Sequence, residues 1–252
     1  MKGVILAGGT GSRLFPLTKV TNKHLLPVGR YPMIYHPVAK LVEAGITEIL
    51  VVTGTDHMGA VVGTLGSGRP IGVDFTYRVQ DGPGGIAEAL GLARSFVGND
   101  RYVVILGDNI FEDGIGDHVA RFAAQPDGAL VLLKEVPDPQ RYGVAELRGE
   151  QIVGIEEKPV QPKSQYCVCG IYMYDAAAMR YVEGLRPSAR AELEITDVNN
   201  AYLRAGRLHY GILNGWWTDA GTLPSLALAN RLAAEQRLDL FETSTDHRSV
   251  QD

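Results

Sequence analysis

Met1-Lys-Gly-Val-Ile-Leu-Ala-Gly-Gly-Thr-Gly-Ser-Arg-Leu-Phe-Pro-Leu-Thr18, with Lys23 a few residues beyond, is the stretch on which the fold turns. Lys2 to Ala7 is a short apolar run with β-branched Val4 and Ile5, which predicts a buried first strand. Gly8, Gly9 and Gly11 follow at once. Without a Cβ they let backbone N–H groups approach a ligand, and a strand running into such a loop makes a nest of amide donors that suits phosphate. Arg13 and Lys23 would add fixed cationic heads. The bland alternatives are a tight turn and two solvated surface charges. The spacing is neither G-x-G-x-x-G nor G-x-x-x-x-G-K-[ST], so a dinucleotide fingerprint and a P-loop are both missing.

Outward from this loop the chain reads as alternating elements. A helix is predicted over Tyr31–Gly45, with Pro32 in its first turn and Pro37 able to kink it. A buried strand follows at Glu48–Thr53, a short helix at Asp56–Leu65, a strand at Val73–Val79, a helix near Ile86–Phe96 and a buried strand at Arg101–Leu106. This rhythm implies crossover units, a mostly parallel sheet covered on both faces, and a ligand crevice at the strands' carboxyl ends. The loops Gly8–Arg13, Gln80–Gly85 and Gly107–Asn109 all fall on that edge. From Ala129 the pattern turns to strands: Ala129–Glu135, Tyr142–Leu147, Gln151–Glu156 and Tyr166–Tyr174. Helices at Ala176–Glu183 and Asp197–Arg204, a strand at Leu208–Leu213 and a helix from Leu223 to Glu235 complete it, and Glu242–Asp252 is expected to fray.

The fold class expected is α/β: a Rossmann-like three-layer fold with a mostly parallel central sheet and a smaller β-rich part. Residues 1–252 are expected to form a single domain, its first half about 1–125 and its second about 126–235. The formal charge of −5, with 45% hydrophobic and 21% charged residues, is ordinary for a soluble protein. It favours neither nucleic acid nor an anionic membrane, so an anionic ligand would have to be met by local positive groups. There is no signal-peptide pattern and no apolar run of membrane-spanning length, which points to the cytoplasm. Cys167 and Cys169 would share one face of a strand, too close along the chain for an unstrained mutual disulfide, and are expected to be packed thiols.

Several carboxylates carry potential chemistry. Asp108 follows a buried strand and Asp219 lies in Trp-Trp-Thr-Asp-Ala-Gly; two such groups could hold Mg²⁺, although Gly-Asp-Asn is also turn chemistry. Glu156-Glu-Lys158, taken alone, reads as the exposed end of a strand rather than as a site. Gln80 could meet a base edge or cap its own loop. Trp216 and Trp217 read as packing residues rather than stacking platforms.

The blocks Leu6–Thr18, Lys23–Val28, Pro32–Ile34, Val79-Gln80, Leu106–Phe111, Arg141–Val144, Glu156–Pro159, Lys163-Ser164, Leu185–Arg190, Glu192–Asp197 and Trp217–Thr222 are collinear with, and closely resemble, those of the sugar-1-phosphate nucleotidylyltransferases, above all the thymidylyl-transferring ones. The resemblance spans residues 1 to about 230. It implies transfer of a thymidylyl group from dTTP to glucose 1-phosphate, giving dTDP-glucose and pyrophosphate. The attack on the α-phosphorus is direct, in line and assisted by Mg²⁺, with no covalent enzyme intermediate. UTP or another hexose 1-phosphate is the nearest alternative, and a non-catalytic nucleotide-sugar sensor a more distant one. It implies catalytic roles for Arg13, Lys23, Asp108 and Lys158, and Asp108 and Asp219 as the metal carboxylates. Leu6, Gly8, Gly9, Gly11 and Ser12 would bind the nucleotide, and Gln80 and Gly85 the pyrimidine. Tyr142, Gly143, Glu157, Val168, Arg190 and Glu192 would form the sugar-phosphate pocket, with Lys158 on the phosphate and Glu157 and Glu192 accepting sugar hydroxyls.

Three departures bear on specificity: Asp81-Gly-Pro-Gly replaces the commoner Pro-Ser-Pro-Asp-type loop, Cys169 stands where Thr is common, and His24 where Pro or Gln is common. Long family members carry C-terminal helices tied to a second nucleotide site, whereas this chain stops about 30 residues after Asp219, so such regulation is expected to be weak or absent. A homo-oligomer is expected, with neither nucleic acid nor membrane as partner.

Overall fold

The computed structural model describes residues 1–241 of the 252-residue chain. Strand β1 (Lys2–Ala7) enters the glycine loop, and a small hairpin, β2 (Pro27–Val28) and β3 (Tyr31–Pro32), leads into helix α1 (Tyr35–Glu43). Then come β4 (Glu48–Gly54), α2 (Met58–Leu65), β5 (Asp74–Gln80), α3 (Ile86–Gly91), α4 (Arg94–Val97), β6 (Tyr102–Leu106), β7 (Asn109–Phe111) and α5 (Gly116–Ala124). The second half supplies β8 (Ala129–Glu135), β9 (Gly143–Arg148), β10 (Gln151–Glu157), β11 (Tyr166–Tyr174), α6 (Ala177–Glu183), α7 (Ile195–Arg204), β12 (Leu208–Ile212), β13 (Trp217–Asp219) and α8 (Leu223–Leu232).

One nine-stranded sheet runs β10-β9-β11-β6-β1-β4-β5, with β8 beside β11 and β12 beside β8. The β6-β1-β4-β5 block is parallel, as crossover connections require, and β12 runs parallel to β8. Strand β11 runs antiparallel to β6 and β8 and joins the two halves into one surface. After Lys2, strand β1 is apolar because both its faces are covered. Ile5 and Ala7 pack with Val38, Leu41, Ile105 and Phe122 on one side, while Val4 and Leu6 pack with Leu90, Val104, Met179 and Tyr202 on the other. A third cluster, with Leu14, Leu26, Val28, Ile110, Ala220 and Leu226, ties the glycine loop to β7, β13 and α8. Cys167 and Cys169 are free thiols buried in β11, as the sequence predicts.

Several element boundaries differ from the sequence reading. Tyr31-Pro32 is strand, so the first helix begins only at Tyr35; Pro37 then sits in its first turn, where its missing N–H leaves no gap in the ladder and causes no break. The helix predicted to Phe96 is two short pieces, α3 and α4, interrupted after Gly91, a residue of weak helix propensity. The last helix ends at Leu232, short of Glu235. The pattern reading names neither β7, only three residues long, nor α5, whose single fully buried side chain is Phe122. The segment Glu242–Asp252, expected to fray, lies outside the described residues. Among the described residues no helix is long and apolar enough to cross a membrane.

Candidate active site

The carboxyl ends of β1, β5 and β6 open into a cleft of about 400 Å³, closed on its far side by β9, β10, β11 and α7. Its wall carries Leu6, Gly8, Gly9, Gly11, Ser12, Arg13 and Lys23 from the first loop, Gln80 and Gly85 from the second, and Asp108 from the third. It also carries Tyr142, Gly143, Glu157, Lys158, Val168, Glu192 and Asp219, so the cleft gathers every catalytic, binding and metal residue the resemblance implies except Arg190, while Cys169 and Asp81 lie off its wall.

Local structure explains the first loop. Gly11 takes φ +67°, and a Cβ there would lie 2.7 Å from Thr18 Cγ2 and 3.0 Å from Lys23 Cβ. Thr18 Oγ1 donates to the Gly11 carbonyl at 3.0 Å, folding the chain back so that Lys23 crosses the loop. Lys23 Nζ donates to Asp108 Oδ2 at 2.5 Å, with the side chains only 12% and 13% exposed. Burial alone would raise the Asp108 pKa, but the Lys23 charge and the hydrogen bonds from Lys23 and Asn109 outweigh it and bring it down to about 2. His24 is buried beside this pair. Desolvation, then the Lys23 charge, lowers its pKa to about 3, so its ring is neutral, with Nδ1 at 2.8 Å from Asn22 Oδ1.

Asp219 reaches the same spot through a three-residue antiparallel ladder. Strand β13 pairs with β7, Asp219 lies opposite Asn109, and the Ala220 N–H donates to the Asp108 carbonyl at 2.8 Å. Tyr142 Oη donates to Asp219 Oδ1 at 3.0 Å, and Arg141 Nη2 donates to it at 3.3 Å. Burial and then the Asp108 charge nonetheless raise the Asp219 pKa, with Arg141, the Tyr142 hydrogen bond and Arg13 opposing. A Cβ on Gly221 would stand 3.1 Å from Arg13 Nη2, 3.2 Å from Asp219 Oδ2 and 3.5 Å from Asp108 Oδ2. Two carboxylate oxygens thus converge on one point, oxygen ligands that fit a hard divalent cation, and the Arg13 guanidinium beside them suits an anionic phosphate. Among the described residues no cluster of three His, Cys, Asp or Glu ligands exists, so such an ion would complete its shell with water and substrate oxygens.

The other end of the cleft is rich in charge pairs. Thr196 Oγ1 donates to Glu157 Oε2 at 2.6 Å, and Lys158 Nζ lies 3.6 Å from Glu157 Oε1. Lys158 adopts φ +46°, uncommon for a side chain of this size, and its N–H donates to the Tyr142 carbonyl at 2.9 Å. Arg190 stands behind this wall, its guanidinium paired with Glu157, Glu192 and Glu194. Trp217 is buried, and its Nε1–H donates to Asn109 Oδ1 at 2.8 Å, a packing role as expected.

Two residues here escaped the sequence reading as site residues. Asn109 accepts from Gly170 N and Trp217 Nε1 and donates to Asp108 Oδ1, which makes it the knot under the two carboxylates. Arg141 bridges Asp138 and Asp219 and lies over the Tyr142 ring. Both adjoin residues that sequence reading does select, but the partners that tie them into the site, Gly170, Trp217 and Asp219, lie too far along the chain for any local pattern to reveal.

A sheet whose parallel block carries a glycine-rich loop, paired carboxylates and flanking cations at its carboxyl edge fits a nucleotidyl transferase. The sequence profile of the nucleotidyl transferase family matches residues 2–236, and the chain belongs to that family. Among its relatives is the glucose-1-phosphate thymidylyltransferase of Neisseria meningitidis serogroup A, 45% identical over 230 residues, covering 90% of this chain and 80% of the relative. The crystal structure of a proposed glucose-1-phosphate thymidylyltransferase from Bacillus anthracis, in complex with sucrose, shares 62% identity with a TM-score of 0.91. It covers 94% of this chain and 96% of that one. A UTP-bound UGPase from Acinetobacter baumannii is 24% identical, with a TM-score of 0.79 and 95% of each chain covered, and shares the fold.

Proposed function

We propose that this protein transfers a thymidylyl group from dTTP to glucose 1-phosphate, releasing pyrophosphate and giving dTDP-glucose. The observation that carries the reading is the convergence of Asp108, Asp219 and Arg13 on the point beside Gly221, with Lys23 bonded to Asp108 at 2.5 Å. A sugar phosphate oxygen attacks the α-phosphorus, the bond to the β-phosphate oxygen breaks, and that oxygen leaves with pyrophosphate. No enzyme nucleophile is needed, so the protein's work is positioning and charge stabilisation.

Asp108 and Asp219 would hold Mg²⁺, which when bound supplies positive charge shared among phosphate oxygens. The remaining roles fall to the chain's own groups. The Gly8–Ser12 loop and Leu6 would receive the nucleotide, and Arg13 would neutralise charge on its phosphates. Lys23 keeps Asp108 ionised, and Tyr142 and Arg141 orient Asp219. Gln80 and Gly85 would meet the pyrimidine. Lys158 would take the sugar phosphate, and Glu157, Glu192, Gly143 and Val168 would surround the sugar. Arg190 would act through the carboxylates it pairs with.

The test is pyrophosphate release, crossing dTTP, UTP, CTP, ATP and GTP with glucose 1-phosphate and related hexose phosphates in the presence of Mg²⁺. Release with dTTP and glucose 1-phosphate, lost in Asp108→Ala and on chelation of the metal, is expected. Release only with another pair would keep the chemistry and replace the substrates. Nucleotide binding without release from any pair would overturn the enzyme reading in favour of a sensor.

A further inference from the structure

Gln80 closes β5 and lines the cleft, and both protons of its amide nitrogen are already placed. Nε2 donates to Glu88 Oε1 at 3.1 Å and to the Gly85 carbonyl at 3.3 Å. Glu88 does not reach the cleft wall; it stands behind Gln80 in the first turn of α3. Its carboxylate fits there because residue 84 is glycine, where a Cβ would lie 1.7 Å from Glu88 Oε2 and 2.5 Å from Oε1. The amide therefore has one orientation. Turned over, its oxygen would face a carboxylate and a carbonyl, acceptor against acceptor. As it stands, Oε1 is the open end. It lies 2.5 Å from where a Cβ on Gly8 would sit, and no hydrogen-bond donor among the described residues is paired with it.

We propose that Glu88 is a positioning residue for base selection: it holds Gln80 with its acceptor toward the cleft, so that the site takes a pyrimidine bearing a proton on N3 and rejects cytosine. Thymine and uracil present N3–H between two carbonyls and would donate to Oε1. Cytosine presents a bare N3 lone pair, which would meet Oε1 acceptor to acceptor. A buried polar group facing the wrong partner discriminates far more strongly than a change in apolar bulk. The inference rests on the cleft being a pyrimidine nucleotide site and names the group that makes the choice. It leaves uracil and thymine undistinguished, since they differ only at C5.

The test is equilibrium binding of dUTP and dCTP, which differ only at the edge in question, to the wild type, Glu88→Ala, Glu88→Gln and Gly84→Ala. Thermal melts check that each variant is folded. The wild type should favour dUTP by roughly tenfold or more, and Glu88→Ala should narrow that ratio by about tenfold. Glu88→Gln, whose own amide oxygen can accept from Gln80 Nε2, should restore it. Gly84→Ala, which displaces the carboxylate without removing it, should narrow it as well and carries the test if Glu88→Ala fails to fold. A merely structural Glu88 would weaken both nucleotides alike. An unchanged ratio in the folded variants, or no preference in the wild type, would overturn the proposal. No sugar phosphate is present, so the result does not depend on turnover. Selective binding without pyrophosphate release would sink the catalytic reading alone, and turnover with an unchanged ratio would sink this one alone.

Discussion

Asp219 is a carboxylate pulled in opposite directions by its neighbours. Burial and the Asp108 charge raise its pKa, and the Tyr142 hydroxyl and two arginines pull it down. Only the ionised carboxylate is a good ligand for a hard cation. Tyr142→Phe removes one lowering influence, so the acid limb of the pH–rate profile should move to higher pH while the alkaline side stays put; pyrophosphate release measured across pH reads this out. His24 gives a second prediction, on stability. Its folded pKa of about 3 lies below the ordinary 6.5, so between those values the unfolded chain binds a proton that the native state does not. Stability should therefore rise from about pH 3 to 6.5 and level off above, and His24→Gln should flatten that rise in urea melts. The sequence marks His24 as unusual for its position. It could not show that the ring is buried, because the covering groups, Gly107 and Asp108, come from another strand end.

At the level of elements, the ladder between β7 and β13 is only three residue pairs long, and the carboxylate pair depends on it. Asn109 secures it through three hydrogen bonds, two of them accepted from buried groups, Gly170 N and Trp217 Nε1. Asn109→Ala would leave both donors unpaired, and a loss of roughly 3 kcal/mol is expected from chemical denaturation, with a matching fall in metal-dependent activity. Long periodic elements are legible in the sequence: β1, β4, β6, β8 and β11 declare themselves through apolar runs that only a sheet covered on both faces allows. The ladder is not legible, since three residues carry no period and their pairing joins chain segments far apart. The break between α3 and α4 is hidden for a related reason. Ala89, Leu90 and Ala93 continue the apolar helical pattern across it, all buried against the same side of the sheet.

On the scale of the whole molecule, a single sheet carries both halves of the cleft, with β11 as the seam between the parallel block and the antiparallel strands. The slowest amide hydrogen exchange is expected in β1, β6 and β11, which have neighbours on both sides, and faster exchange in β5 and β10 at the ends. Uniform exchange across the sheet would contradict that gradient. The order of loops on the carboxyl edge is readable from sequence because parallel crossovers fix which strand ends share a side. The closing contacts of the second half are not, because antiparallel strands can pair in several registers that a one-dimensional pattern leaves equal. The ladder has a consequence in time as well as in space. Asp108 arrives with the first half of the chain, but its companion stands on β13, which is synthesised only after every strand of the nine-stranded sheet. A chain still on the ribosome can fold its glycine loop and its parallel block and still lack the second carboxylate. Catalytic competence would then switch on once, late, when β13 docks, so unfinished copies of the protein would consume no nucleotide.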